Sequence, residues 1–302
     1  MSYNADRDKW ITRATEWVMY ACAYAFRIIT WPVPTWTLNR ALAPLGGWAA
    51  WLIPGARCRI LENVSHVWPG LGPKDEEIFV KANGRQTLCL MIEYSRLDKF
   101  LREIAVEVEG EENLRDRPKG TGAILVTAHY GNWEAVRFAA QAMGHQSGII
   151  YRAFNNRYLD RFTLNLIPAV GEPILQKGGG IRQLFAHVKK GGVVMILVDQ
   201  RNTGAPYLDF LGKPAETVTA AAEMAAKTGA ALIPAVGRRD LAAGKFHVRF
   251  ETPVAAADPA TMMQEVNDRL GAWIIEAPDQ WFWLHRRWRT TTRSRTVEKE
   301  DA

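Results

Sequence analysis

Short apolar runs rich in β-branched residues alternate with amphipathic stretches through the middle of the chain. The runs fall at 123–126, 148–151, 193–198 and 231–236, and helical patterning falls at 134–143, 158–167, 180–189 and 217–227. A run that is apolar at every position reads as a strand buried on both faces. Its alternation with helices predicts an α/β fold with a central, mostly parallel sheet flanked by helices. Residues 246–250 alternate apolar and polar positions as an edge strand does, and 262–275 form a closing amphipathic helix. The charged turn Lys74-Asp75-Glu76-Glu77 opens a further helix, in which Glu93 and Arg96 read as ordinary surface charges.

The N-terminal pattern differs. Residues 17–26 are apolar on every face, Arg27 interrupts them, 28–31 resume the run, and Pro32 and Pro34 end it. A second apolar run, 41–53, is broken by Pro44 and Gly46-Gly47. The first run falls short of the ~20 residues that a spanning helix needs. It is either half of a core helix pair or an anchor lying in or dipping into a bilayer, with Arg27 reaching headgroups. Asp6, Asp8 and Glu16 argue against a cleaved signal peptide. No linker or repeat divides the remainder, so the expected organisation is an arm over 1–55, a main body over 56–290 and a basic, irregular tail over 291–302.

Charge narrows the partners. A net charge of +6 and a pI near 9.3 favour anionic ones: nucleic acid, an anionic membrane surface or an acidic protein. Twelve tryptophans, with Trp10, Trp17, Trp31, Trp36, Trp48 and Trp51 near the N-terminus, point to the membrane–water interface. No nucleic-acid module is visible. Cys22, Cys58 and Cys89 are odd in number and lack metal-ligand spacing, which disfavours a disulfide framework.

Candidate chemistry sits where strands end, the edge at which open α/β sheets place ligands. In Thr127-Ala128-His129-Tyr130-Gly131-Asn132-Trp133-Glu134 a histidine and a carboxylate follow a buried strand. This is either an imidazole satisfied at a helix entrance or a general base, His129, with Glu134 fixing its tautomer. Arg152, with Asn155 and Asn156 behind it, is a turn arginine or a bidentate clamp for phosphate or carboxylate. Gly178-Gly179-Gly180 ahead of Arg182 exposes N–H groups at a helix start but lacks a P-loop ending. Asp199, at the end of the 193–198 strand, is a cap or a second polar anchor for the site. No GxSxG elbow and no HExxH occur, so neither a serine hydrolase nor a metal site is expected. Trp281, Phe282, Trp283, His285, Arg286, Arg287 and Trp288 either seal a core or meet lipid.

His129-x4-Glu134 within AHYGNWE resembles the HX4(D/E) signature of the bacterial lipid A biosynthesis acyltransferases, the late or secondary enzymes of the lysophospholipid acyltransferase superfamily. Further stretches match in order: Tyr151-Arg152-Ala153-Phe154-Asn155-Asn156, Lys177-Gly178-Gly179-Gly180-Ile181-Arg182, Val198-Asp199-Gln200, Phe210-Leu211-Gly212-Lys213-Pro214-Ala215, and 278–288. The resemblance implies a glycerolipid acyltransferase-like fold tethered to the cytoplasmic face of the inner membrane. It implies transfer of a fatty acyl chain from acyl carrier protein to a hydroxyl of a lipid A precursor, with no cofactor. His129 and Glu134 would be catalytic, and Arg152, Asn155, Gly179, Arg182, Asp199 and Gln200 would bind substrate. The expected partners are acyl carrier protein, an anionic glycolipid and inner-membrane lipids, and no nucleic acid. An N–H of the Gly131-Asn132 turn, or Arg152, would meet the oxyanion. An acyltransferase using acyl-coenzyme A and another glycolipid or aminolipid acceptor, and a catalytically silent lipid-binding protein, stay open.

Overall fold

A computed structural model describes residues 2–176 and 180–288, with side chains for 12–175 and 180–288. The helices are α1 Ser2–Thr30, α2 Thr35–Leu52, α3 Pro54–Val67, α4 Pro73–Ser95, α5 Leu97–Glu103, α6 Glu111–Arg115, α7 Glu134–Ala142, α8 Arg157–Leu164, α9 Ile181–Lys189, α10 Ala220–Thr228 and α11 Pro259–Glu276. The strands are β1 Val106–Glu109, β2 Ala123–Thr127, β3 Ser147–Tyr151, β4 Ile174–Gln176, β5 Val193–Leu197, β6 Tyr207–Phe210, β7 Lys213–Glu216, β8 Ala231–Asp240 and β9 Lys245–Phe250.

Seven strands form one sheet in the order β1-β9-β8-β2-β5-β3-β4. Neighbours run parallel except β8 and β9. The mostly parallel sheet is therefore as expected, with one correction. Strand β9 is not an edge: β1 pairs along it from Val106↔Phe246 to Glu109↔Arg249 and takes the outer position. Strands β6 and β7 make a separate hairpin.

Helices cover both faces, and β2 shows why its run is apolar throughout. Ile124 and Val126 enter one core with Ile60, Val80, Leu184 and Leu270. Ala123 and Leu125 enter the other with Phe100, Leu114, Val136 and Phe246. With period two and both faces buried, no position is left for a polar residue. Strands β2 and β5 are neighbours in register from Ala123↔Val193 to Thr127↔Leu197, so the loops after them leave the sheet side by side.

The N-terminal segment departs from expectation in two ways. Helix α2 runs unbroken through Pro44, and its glycines are contact points, not breaks. A Cβ on Gly46 would stand 2.5 Å from the Gly84 oxygen, and one on Gly84 would stand 2.4 Å from the Gly46 oxygen. The backbones of α2 and α4 thus touch directly, and α2 belongs to the packed body. Arg27 does not reach outward either. Its guanidinium meets the Asp98 carboxylate at 2.8 Å through both terminal nitrogens. Among the described residues no helix is long and apolar enough to cross a membrane.

Glu93 and Arg96 are also not surface charges: both are fully buried. Glu93 pairs with Arg239 at 2.6 and 2.8 Å and accepts from Asn39 and Asn132. Arg96 donates to the carbonyls of Trp31 and Val33.

The α2–α4 crossing yields a test. Gly84→Ala should force the helices apart and cost about 1–3 kcal/mol, as overpacking does. Gly55→Ala, with nothing within 4 Å of the new methyl, should leave the thermal midpoint unchanged or slightly raised. Equal midpoints for the two variants would contradict a tight crossing.

Candidate active site

The loop leaving β2 is built to present one side chain. Ala128 and Tyr130 are buried, and His129 between them keeps its ring partly open, with 18% of the side chain exposed. Gly131 then turns the chain with φ +55, and a Cβ there would lie 2.0 Å from the Gly237 oxygen. Glycine is required at this position both by its left-handed backbone and by the close approach.

Asp199, just beyond β5, holds the imidazole. Its Oδ1 accepts from His129 Nδ1 at 2.8 Å, and its Oδ2 accepts from the His129 backbone N–H at 2.9 Å and from Trp281 Nε1 at 2.8 Å. The side chain is fully buried, and burial on its own would raise its pKa. The His129 charge and hydrogen bond, His285 and the Trp281 donor outweigh that and hold the carboxyl well below the usual carboxylate range. An ionised carboxylate can only accept, so Nδ1 of His129 carries a proton, and in the neutral ring Nε2 is the nitrogen left with the lone pair.

Glu134 does not share this task. It opens α7 and turns inward, away from the loop, to full burial. Its Oε1 accepts from Tyr94 Oη at 2.6 Å and its Oε2 from Arg137 Nη1 at 2.7 Å. Arg137 continues to the carbonyls of Ser147 and Gly171, at 3.0 and 2.6 Å. The expected Glu134–His129 bond is thus replaced by His129–Asp199, and Glu134 instead locks the entrance of α7 to β3. The five-residue spacing brings the two groups into one loop without bringing them into contact.

The C-terminal segment completes the site. Gly131 N donates to the Gln280 carbonyl at 2.9 Å, and Phe282 N donates to the His129 carbonyl at 2.8 Å. Asn83 holds the carbonyls of Asp279 and Trp281, and Asn63 holds those of Trp283 and His285. Trp281 and Trp283 are wholly buried, so of the two readings the core-sealing one holds. Arg287 is no headgroup contact: it is buried, donates to Glu216 O and Thr217 Oγ1, and lies over Phe210. Arg286 stays exposed.

His285, to which the sequence pattern assigns no role beyond the aromatic and basic run, also stands at the site. Here its ring centroid lies 4.6 Å from that of His129, edge to face. Burial, then the neighbouring His129 charge, pushes its pKa down to about 4 against the pull of Asp199. Gln200 Nε2 lies 3.0 Å from His285 Nε2 and 3.3 Å from His129 Nε2. The signal available in the sequence was the aromatic and basic run 281–288, whose histidine lies among residues that pack.

The remaining expected residues spread along the same sheet edge. Arg152 and Asn155 are exposed in the loop after β3, the strand beyond β5. Arg182 is exposed in the first turn of α9, which follows the edge strand β4. Neither arginine reaches His129. Gly179 lies outside the described residues. The turn expected to receive an oxyanion is occupied, since Gly131 N serves Gln280 and Asn132 N donates to the Gly237 carbonyl at 3.2 Å. Among the described residues no group of three or more His, Cys, Asp and Glu side chains is placed to hold a metal ion.

Comparison with known proteins gives these residues a context. A family model described as bacterial lipid A biosynthesis acyltransferase matches residues 5–290. A phosphatidylinositol mannoside acyltransferase of Mycobacterium tuberculosis is 28% identical over 176 residues, 56% of this chain and 55% of that protein, so the match spans about half of the relative's length. A lipid A biosynthesis acyltransferase of Haemophilus influenzae is 21% identical over 266 residues, covering 85% of this chain and 83% of that one. Among solved structures, the 1-acyl-sn-glycerophosphate acyltransferase PlsC of Thermotoga maritima is similar at a TM-score of 0.38 and 12% identity, over 80% of this chain and 97% of that one.

Glu134 and His129 should separate in stability measurements. Glu134→Ala leaves Arg137 charged, buried and unpaired, a loss of about 3–5 kcal/mol. His129→Ala takes the ring donor from buried Asp199 but leaves the backbone N–H and the Trp281 indole on it, and should cost about 1–3 kcal/mol. Urea midpoints check this, and a Glu134→Ala protein as stable as the parent would contradict the locking role.

Proposed function

Since this chain belongs to the bacterial lipid A biosynthesis acyltransferase family, we propose that it moves a fatty acyl chain from a thioester to a hydroxyl of an anionic glycolipid. The observation that carries the proposal is the His129–Asp199 pair at the C-terminal edge of the sheet. A sugar hydroxyl is far too weak an acid to lose its proton unaided near neutral pH. His129 Nε2 takes that proton as the hydroxyl oxygen attacks the thioester carbon, and Asp199 stabilises the imidazolium that forms. Collapse of the tetrahedral intermediate re-forms the carbonyl and breaks the C–S bond. The departing thiolate recovers the proton from Nε2. No covalent enzyme intermediate and no cofactor enter this scheme.

The donor we assign is acyl carrier protein. Arg152 and Arg182 are exposed along the edge that holds His129 and suit an acidic carrier and its phosphopantetheine phosphate. The acceptor we assign is a lipid A precursor, reached from the cytoplasmic face of the inner membrane. Exposed Trp17, Val18, Ile28 and Ile29 on α1, with Leu45, Trp48, Leu52 and Ile53 at α2, support attachment in the interface in place of a span. Similarity to a phosphatidylinositol mannoside acyltransferase favours a second reading, in which the acceptor is another phosphate-bearing glycolipid. Mass spectrometry of lipids from cells lacking the chain separates the two by which species loses an acyl group.

His129→Ala should remove acceptor-dependent thiol release, and Asp199→Asn should lower kcat by about 10²–10⁴ by permitting the wrong tautomer. Full turnover in either purified variant overturns the assignment of the base. Arg152→Ala should raise KM for the donor and leave kcat nearly unchanged. Replacing Trp48, Leu52 and Ile53 together by Ser should release the protein from sedimenting anionic vesicles. Undiminished sedimentation would count against docking through α2.

A further inference from the structure

The tetrahedral intermediate needs a hydrogen-bond donor for its oxyanion, and the two expected sources are not placed to give one. The backbone N–H groups of His129, Tyr130, Gly131 and Asn132 all have acceptors within the protein: Asp199, Ala128 O, Gln280 O and Gly237 O. Arg152 follows β3, with β5 intervening before β2. One side-chain donor does lie beside the reacting nitrogen. We propose that Gln200 supplies the oxyanion hydrogen bond, and that His285 is the positioning residue that aims its amide. The proposal rests on the acyl-transfer reading above and extends it to the charge that develops opposite the base.

The orientation of the amide follows from the charges around it. Gln200 Nε2 has two hydrogens and no lone pair, and it faces Nε2 of both histidines at 3.0 and 3.3 Å. With Nδ1 of His129 donating to Asp199, His129 Nε2 is an acceptor. The opposite placement of the amide would set its oxygen against that lone pair. Burial keeps His285 neutral, so its Nε2 can accept as well. Of the two contacts, the one to His285 is shorter and fixes the amide plane. The longer one, to His129, is the one an arriving hydroxyl displaces, because that hydroxyl must donate to the same lone pair.

Once displaced, that N–H sits on a nitrogen 3.3 Å from the base nitrogen, within reach of the atoms bonded to the attacking oxygen. As the nucleophile bonds to carbon, the carbonyl electron pair moves onto oxygen, and the N–H donates to it. The His285 bond holds the amide in place, so no reorganisation accompanies the appearance of charge. A neutral His285 also matters electrostatically. An imidazolium 4.6 Å from His129 would oppose the proton that the base must take up.

Steady-state kinetics with lauroyl thioesters of acyl carrier protein and of coenzyme A, and detergent-solubilised lipid A precursor as acceptor, test this through thiol release. Gln200→Ala should lower kcat by about 100-fold with KM within about threefold, since the interaction exists only after attack begins. His285→Phe keeps the ring packing without the acceptor and should lower kcat about tenfold, a smaller share of that loss because the amide itself remains. His285→Gln restores an acceptor oxygen and should recover most of the loss. Urea midpoints near the parent's confirm that the variants fold. Parental kcat in Gln200→Ala overturns the oxyanion assignment. Equal losses in the Phe and Gln variants overturn the positioning role. A parent protein silent with both donors overturns the acyl-transfer reading, and this inference with it.

Discussion

The fully buried Asp199 carboxylate is the constraint on which the site depends. Removing a carboxylate from water costs several kcal/mol unless its oxygens are satisfied. Here three donors from two other parts of the chain meet it: the backbone and ring of His129 and the indole of Trp281. These bonds join the loop after β2, the end of β5 and the C-terminal segment. The same contacts that make the buried charge tolerable also set the tautomer of His129. Stability and chemistry are here one set of hydrogen bonds.

Around this centre the protein uses buried polar groups as ties between elements. Glu134 and Arg137 fasten the start of α7 to β3, and Glu93 and Arg239 fasten α4 to β8 while holding Asn132. Asn63 and Asn83 donate to carbonyls of the C-terminal segment, which has no sheet to satisfy them. Each tie is directional, whereas packing alone is not, and the loop bearing His129 is bounded by several of them. A base that must meet a hydroxyl to within a few tenths of an ångström gains from that rigidity.

The sheet was readable because period-two burial on both faces leaves an unambiguous apolar run, as in β2 and β5. The helices between these strands were readable for the complementary reason, one apolar face each. Strands β1 and β4 were not, since both are short and β1 is largely polar, open to solvent beyond the edge of the sheet. The α2 glycines misled because a gap in a propensity pattern and a close helix crossing look alike without the partner helix. His129 and Asp199 were both named from strand ends, yet their pairing was not, because adjacency of β2 and β5 is a property of topology. Glu134 was assigned by spacing, and spacing does not show which way a first helical turn points. Glu93 and Arg96 looked solvated because a charge finds its counterpart only in three dimensions.

Trp281 reaches Asp199 from near the C-terminal end of the described chain, and Phe282 braces the His129 carbonyl from the same stretch. During synthesis the two strands that frame the imidazole emerge long before the indole that secures its carboxylate. Until then Asp199 has one donor fewer and the histidine loop lacks its brace. Competence for chemistry therefore waits until every strand of the sheet, β9 included, has been made.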